Sequence, residues 1–315
     1  MIENFHILTN FYSFIKDVHY RHIHKIRNDI LKERPTKYFM NLKNENERIC
    51  NLNILSSHNS YLNNYQNFDY ADISNIEYLI KLGVRCIELD IYYINNELVV
   101  CHGTKNIIKN FDFITTNSIK LETIFQLIKN NSFKEFSDLP MFINLELLTH
   151  NSKEAHMKIA DLIQKYFFAY ILHSKFQYNN KNIGKCKLKQ LRKKIIFING
   201  NILNHDDPLK KYINIQSFKI NEINTNKIND KFLLNFSDYE IENNKNIIKK
   251  HLKNKGLIRV YPRGSLINQF SGNYDYKKMI KLGIQFNAIN IQQMNSISQS
   301  YLKDFEFNPI KKIKF

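Results

Sequence analysis

Beyond Pro35 the apolar residues keep two rhythms in turn. Short runs rich in Ile, Leu, Val and Phe predict strands: LNILSS (52–57), RCIELDIYY (85–93), MFINLELL (141–148), KIIFING (194–200), FLLNF (232–236), LIRVYP (257–262) and FNAINIQ (286–292). ELVVCH (97–102) follows closely through INN and predicts a hairpin addition. Between the runs, apolar residues three and four apart predict helices over 72–83, 121–131, 152–172, 244–256 and 274–283. Gly83 and Gly283 close two of them as C-terminal caps. Strand-then-helix order repeated over most of the chain predicts an α/β fold, a distorted (β/α)8 barrel. Its last strand is expected from FEFNPIKKIKF (305–315), and 201–230 reads as a connection.

Ahead of the barrel, Leu8, Phe11, Ile15, Val18, Ile23, Ile26 and Ile30 mark one or two amphipathic helices. Residues 1–47 therefore read as a helical extension, expected to cover the bottom of the barrel, and 48–315 as a single barrel domain. No 18-residue apolar run is present, and the first 20 residues lack the basic-then-apolar order of a signal peptide. The four cysteines have no CxxC spacing and read as free thiols. These features predict a cytoplasmic protein.

Charge narrows the partners. The formal net charge is +17, which attracts polyanions such as an anionic membrane surface. No RNA- or DNA-binding motif accompanies it, so nucleic acid is not expected. The HYRHIH cluster (19–24) lacks ligand partners at useful spacing and reads as a wet basic helix face.

In such barrels chemistry gathers at the C-terminal ends of the strands. There the chain places His58 and Asn59, then Glu88 and Asp90 two apart on one face, His102 after the hairpin, Glu146 inside INLEL, and Arg259 with Tyr261. Three carboxylates in one mouth repel one another unless a hard cation binds. With the amide oxygen of Asn59, an all-oxygen site suits calcium or magnesium. Two histidines beside such a site suit phosphoryl transfer, one stabilising charge and one protonating the leaving oxygen. Arg259 and Tyr261 offer an anion contact and a flat face.

Together SSHNSYL, RCIELDIYY…VVCHGT, LPMFINLE, FSD and RVYPRGS…NYDYKKMIKLGIQFNAINIQ resemble the X and Y halves of the eukaryotic phosphoinositide-specific phospholipases C, over about residues 48–295. The X half would span about 48–200 and the Y half about 231–315. The resemblance implies calcium held by Asn59, Glu88, Asp90 and Glu146, with His58 and His102 as the catalytic pair. It implies cleavage of phosphatidylinositol lipids to diacylglycerol and a cyclic inositol phosphate by attack of the inositol 2-hydroxyl, Glu88 drawing its proton. Arg259 and Tyr261 match the substrate-contacting pair, and Asn235 stands where a Ser is usual. A metal-independent phosphatidylinositol phospholipase and an inactive lipid-binding barrel are the alternatives.

The sequence departs from the family in three ways. Ile198 and Gly200 stand where paired lysines grip ring phosphates, so phosphatidylinositol or a monophosphate is the expected substrate. Ser265 and Thr104 weaken the apolar rim, leaving Leu62, Tyr65 and Phe68 as candidates for it. Accessory modules are not recognisable, and the expectation is a bare catalytic core acting peripherally at membranes.

Overall fold

The computed structural model describes residues 21–32, 44–63, 70–103, 117–223, 228–264, 272–305 and 308–313. Residues 21–32 are helical (α1). The remaining helices are α2 (Ile73–Lys81), α3 (Leu121–Asn131), α4 (Lys153–Phe167), α5 (Lys245–Lys253), α6 (Tyr276–Lys281) and α7 (Ser296–Asp304). The strands are β1 (Leu52–Ser57), β2 (Cys86–Ile94), β3 (Glu97–Val100), β4 (Ile119–Lys120), β5 (Met141–Leu148), β6 (Ile195–Asn199), β7 (Ile213–Lys219), β8 (Leu233–Ser237), β9 (Leu257–Tyr261), β10 (Phe286–Ile289) and β11 (Ile310–Lys312).

Parallel pairing runs β1–β10–β9–β8–β7–β6–β5–β2, and a further β1–β2 bridge at Ser56 and Cys86 closes eight strands into a barrel. The hairpin expected over 97–102 is present: β3 pairs antiparallel with the outer part of β2, and β4 with β3. Two expectations need correction. The eighth barrel strand is β7, inside the segment read as a connection. The C-terminal strand β11 does form, but antiparallel to β1 and outside the barrel. Its pairing registers Leu52 with Lys312, at the entry end of β1.

The helices start and stop where local chemistry directs. Asp72 accepts from Ser74 N at 2.8 Å and caps α2. Gly83 and Gly283 both take φ of 89°, the left-handed turn that ends α2 and α6. β5 to β6 is crossed by α4, whereas among the described residues β6–β7 and β7–β8 are joined by short 3-10 turns, which is where the barrel is distorted.

Besides a small cluster of Tyr92, Val99 and Cys101 at the hairpin, burial forms two main cores. One lies between sheet and helices, built from Leu79, Ile87, Ile124, Phe125, Ile159 and Phe197 among others. The other fills the lumen: Ile54, Phe142, Ile196, Ile198, Ile215, Leu233, Leu257 and Phe286 point inward. The lumen is floored by Ile49, Ile183, Cys186, Leu188 and Leu191 from the segments that enter β1 and β6. Thus the 181–194 segment covers the bottom; of the extension expected there, residues 1–20 and 33–43 lie outside the described residues. α1 instead lies against the side, with Arg27 donating to Asn63 O at 2.6 Å and resting 5.3 Å from the Tyr78 ring of α2. All four cysteines are free and buried. No described helix is long and apolar enough to cross a membrane.

Above the apolar layers most of the barrel strands switch to polar inward residues, and these form the mouth. β1 and β10 meet at a seam there. Tyr301 of α7 accepts from Ser56 N at 3.1 Å and donates to Asn287 O at 2.8 Å, tying the two strands with one hydroxyl.

Candidate active site

Glu88 and Asp90 face the mouth from β2, registered against Asn144 and Glu146 of β5. Immediately after β1, Asn59 takes φ of 43°, a conformation that Asn tolerates better than most residues. The turn aims its backbone N–H at Glu88 Oε2, 3.1 Å away. Glu88 Oε1 receives Arg259 Nη2 at 2.6 Å and Asn144 Nδ2 at 3.0 Å. Glu88 and Arg259 are 3% and 2% exposed, so this is a buried charge pair. Arg259 Nη1 also donates to Asn235 Oδ1 at 3.1 Å.

Each histidine rests on one of the β2 carboxylates. His58 Nδ1 lies 2.9 Å from Asn290 Oδ1, an acceptor, so Nδ1 carries the proton and Nε2 turns to Glu88 Oε2 at 3.7 Å. The Tyr261 ring stacks nearly parallel to His58, 6.1 Å between centroids. His102 Nδ1 lies 3.6 Å from Asp90 Oδ2 and 3.3 Å from the Tyr61 hydroxyl, which itself donates to Asp90 Oδ2 at 2.9 Å. Across the mouth Glu146 is half-exposed and faces Lys219 Nζ at 3.7 Å.

Burial and charge set the protonation states. Burial pushes Glu88 up, but Arg259, His58 and its hydrogen bonds outweigh this and hold it below the usual carboxylate range. Burial lowers His58, against the pull of the neighbouring Glu88 carboxylate. Asp90 is pushed up to about 6, first by burial and then by the charges of Glu146 and Glu88, against the pull of His102.

All the residues expected at the mouth therefore converge there: His58, Asn59, Glu88, Asp90, His102, Asn235, Arg259 and Tyr261 in one bonded cluster, and Glu146 beside it. Sequence reasoning missed Asn290, Tyr61, Asn144 and Lys219. Asn290 could have been found as the polar residue ending FNAIN; Lys219 was hidden with β7. Leu62, expected on a rim, is fully buried. Tyr65, Phe68, Thr104 and Ser265 lie outside the described residues.

Among the described residues no three His, Cys, Asp or Glu side chains stand close enough to grip a metal as they are. The donor chemistry nevertheless fits a hard cation. Asp90 Oδ1 is buried with no hydrogen-bond partner, an acceptor with unused lone pairs beside two further carboxylates.

The structure thus places two histidines on paired carboxylates and a buried arginine at the mouth of a closed barrel. Residues 46–200 match the family described as phosphatidylinositol-specific phospholipase C, X domain. Over 137 residues it is 32% identical to 1-phosphatidylinositol 4,5-bisphosphate phosphodiesterase 1 of Saccharomyces cerevisiae, covering 43% of this chain and 14% of that protein. It is 26% identical over 140 residues to the mouse 1-phosphatidylinositol 4,5-bisphosphate phosphodiesterase eta-1, covering 44% and 7%. The chain thus spans a small part of the length of these curated relatives. Among solved structures it resembles L. pealei PLC21, with a TM-score of 0.69, 19% identity, and coverage of 86% of this chain and 38% of that one. It also resembles the calcium-dependent phosphoinositol-specific phospholipase C of a Pseudomonas sp., with a TM-score of 0.56, 15% identity, and coverage of 89% and 100%. These likenesses show a shared barrel.

Proposed function

We propose that the chain is a calcium-dependent phosphoinositide-specific phospholipase C that works at a membrane surface. The observation that carries this reading is the pairing of His58 with Glu88 and of His102 with Asp90 at a mouth that also holds Arg259. Asn59, Glu88, Asp90 and Glu146 would hold the calcium ion, which supplies charge neutralisation for the phosphoryl group and a lower pKa for the attacking hydroxyl. Glu88, kept ionised by Arg259, draws the proton from the inositol 2-hydroxyl. That oxygen bonds to phosphorus as the phosphorus–glyceryl oxygen bond breaks. His102 gives its proton to the departing glyceryl oxygen, releasing diacylglycerol and leaving a cyclic inositol phosphate for water to open. His58, anchored on Asn290, turns Nε2 to the phosphoryl oxygens, whose charge favours its protonated form. Tyr261 offers its ring face to the inositol.

Membrane attachment is supported by the loops that follow the barrel strands. Tyr70, Ile202 and Tyr239 are 50%, 77% and 58% exposed, and they follow β1, β6 and β8 on the mouth side. These apolar tips would enter the interface, while the net charge of +17 draws the protein to anionic lipid at the cytoplasmic leaflet.

The test is hydrolysis of phosphatidylinositol vesicles in micromolar calcium and in chelator, by the wild type and His102→Gln. Turnover needing both calcium and His102 is expected. Activity that survives chelation overturns the calcium dependence, and silence toward every inositol lipid overturns the activity.

A further inference from the structure

Beside the carboxylate pair the mouth opens into a cleft of about 350 Å3 between β5, β6 and β7. That is room for a small polar ligand. Most of its polar lining is neutral: Asn144, Asn151, Asn201 and Asn235 present amides and Ser217 a hydroxyl. Ser217 is 1% exposed, and its Oγ is buried with no hydrogen-bond partner. A buried hydroxyl left unmatched beside a cleft is a natural partner for a ligand hydroxyl. Charge is sparse and mixed. Glu146 and Glu222 line the cleft, and Lys219 is the single cation among its described lining residues. Lys219 is already matched by Glu146.

Resting on the function proposed above, we infer that this cleft takes the inositol ring as a set of hydroxyls. The substrate then carries at most one ring phosphate, placed at Lys219. Ring hydroxyls can donate to Glu222 and exchange hydrogen bonds with the amides. Phosphate oxygens only accept, and a second phosphate would meet carboxylates with no cation to offset it. β6 supplies none. Ile198 is buried in the lumen core, and Gly200, at the edge of the cleft, has no side chain. A Cβ built at Gly200 would meet nothing within 4 Å, so the space for a cation is there and unfilled.

That open space makes the inference testable by gain as well as loss. Phosphatidylinositol, its 4-phosphate and its 4,5-bisphosphate are compared in mixed micelles at saturating calcium, with thermal melting to check that each variant folds. The wild type should turn over phosphatidylinositol roughly tenfold or more faster than the bisphosphate. Gly200→Lys should narrow or reverse that ratio, and Lys219→Met should lower 4-phosphate turnover relative to phosphatidylinositol. Bisphosphate turned over as fast as phosphatidylinositol by the wild type overturns the inference. If no inositol lipid is cleaved, the phospholipase reading fails by itself, and calorimetry with inositol 1-phosphate and inositol 1,4,5-trisphosphate still decides. Tighter binding of the monophosphate upholds the cleft's preference; tighter trisphosphate binding, or none of either, overturns it.

Discussion

On the β1, β2 and β9 side of the mouth, Glu88 is 3% exposed, and Arg259, Asn144 and the Asn59 N–H occupy its two oxygens. On the β5 to β7 side, Glu146 and Lys219 keep side-chain exposures of 36% and 37% and meet at 3.7 Å. The first arrangement is over-determined. A charge taken out of water must be fully matched, so each group there dictates its neighbours. The second is screened by solvent and loosely held, so its side chains can change without disturbing the barrel. On the function proposed above, most of the reaction chemistry falls on the rigid side and ring recognition on the open one. That arrangement lets substrate preference drift while the bond-breaking apparatus stays fixed.

The strongest way to break this contrast acts on rate. His102→Gln should lower turnover by roughly 10²–10⁴-fold, the range for losing a proton donor, with a nearly unchanged melting temperature. Equal losses in rate and melting temperature would place His102 among structural groups. Next in size, Arg259→Met should cost about 3–5 kcal/mol of stability in urea unfolding, because it strands Glu88 as a buried, uncompensated charge. Adding Glu88→Gln should recover much of that loss; no recovery would mean that Arg259 acts by packing alone.

A smaller effect comes from pH. His251 of α5 is 3% exposed, with Nε2 between Phe232 O at 3.1 Å and Leu257 O at 3.2 Å. Burial holds its folded-state pKa below the unfolded value, despite the two carbonyls. The unfolded chain therefore binds the proton more readily. The contribution is complete above the unfolded value near 6.5 and is lost as pH falls below it, at no more than about 1.4 kcal/mol per pH unit. His251→Gln should flatten that part of the stability profile; an unaltered profile would remove His251 from the account. Smallest of all, Lys219→Met should change stability by less than about 1 kcal/mol. A larger loss would show the open side to be as tightly built as the other.

The barrel was legible in the sequence wherever strand and site obeyed a simple rule. β1 and β5 fall on the residues that alternation predicted, because both carry apolar residues on lumen and helix faces. β7 escaped for a specific reason. Its inward residues Ile215, Ser217 and Lys219 do alternate, but beside them stand Asn214 and Gln216, which make the stretch resemble a loop. Those amides serve the neighbouring strand. Asn214 Oδ1 accepts from Phe197 N at 3.0 Å and Gln216 Nε2 donates to Asn199 O at 3.0 Å, where the β6–β7 register shifts. Missing β7 also hid Lys219. The site residues were readable because a carboxylate or histidine ending an apolar run is conspicuous. Their supports were not, since Asn290 and Tyr61 matter only through contacts that the fold creates.

The seam between β1 and β10 carries a consequence for how the protein is born. His58 leaves the ribosome early, whereas Asn290, which orients its ring, lies 232 positions later. The Tyr301 hydroxyl that ties the two strands comes later still. A nascent chain can possess both histidines and every carboxylate of the mouth and yet lack the amide that fixes the first imidazole. On the function proposed above, competence for chemistry would be deferred until α7 docks, and a polypeptide that stops short of Asn290 would lack it.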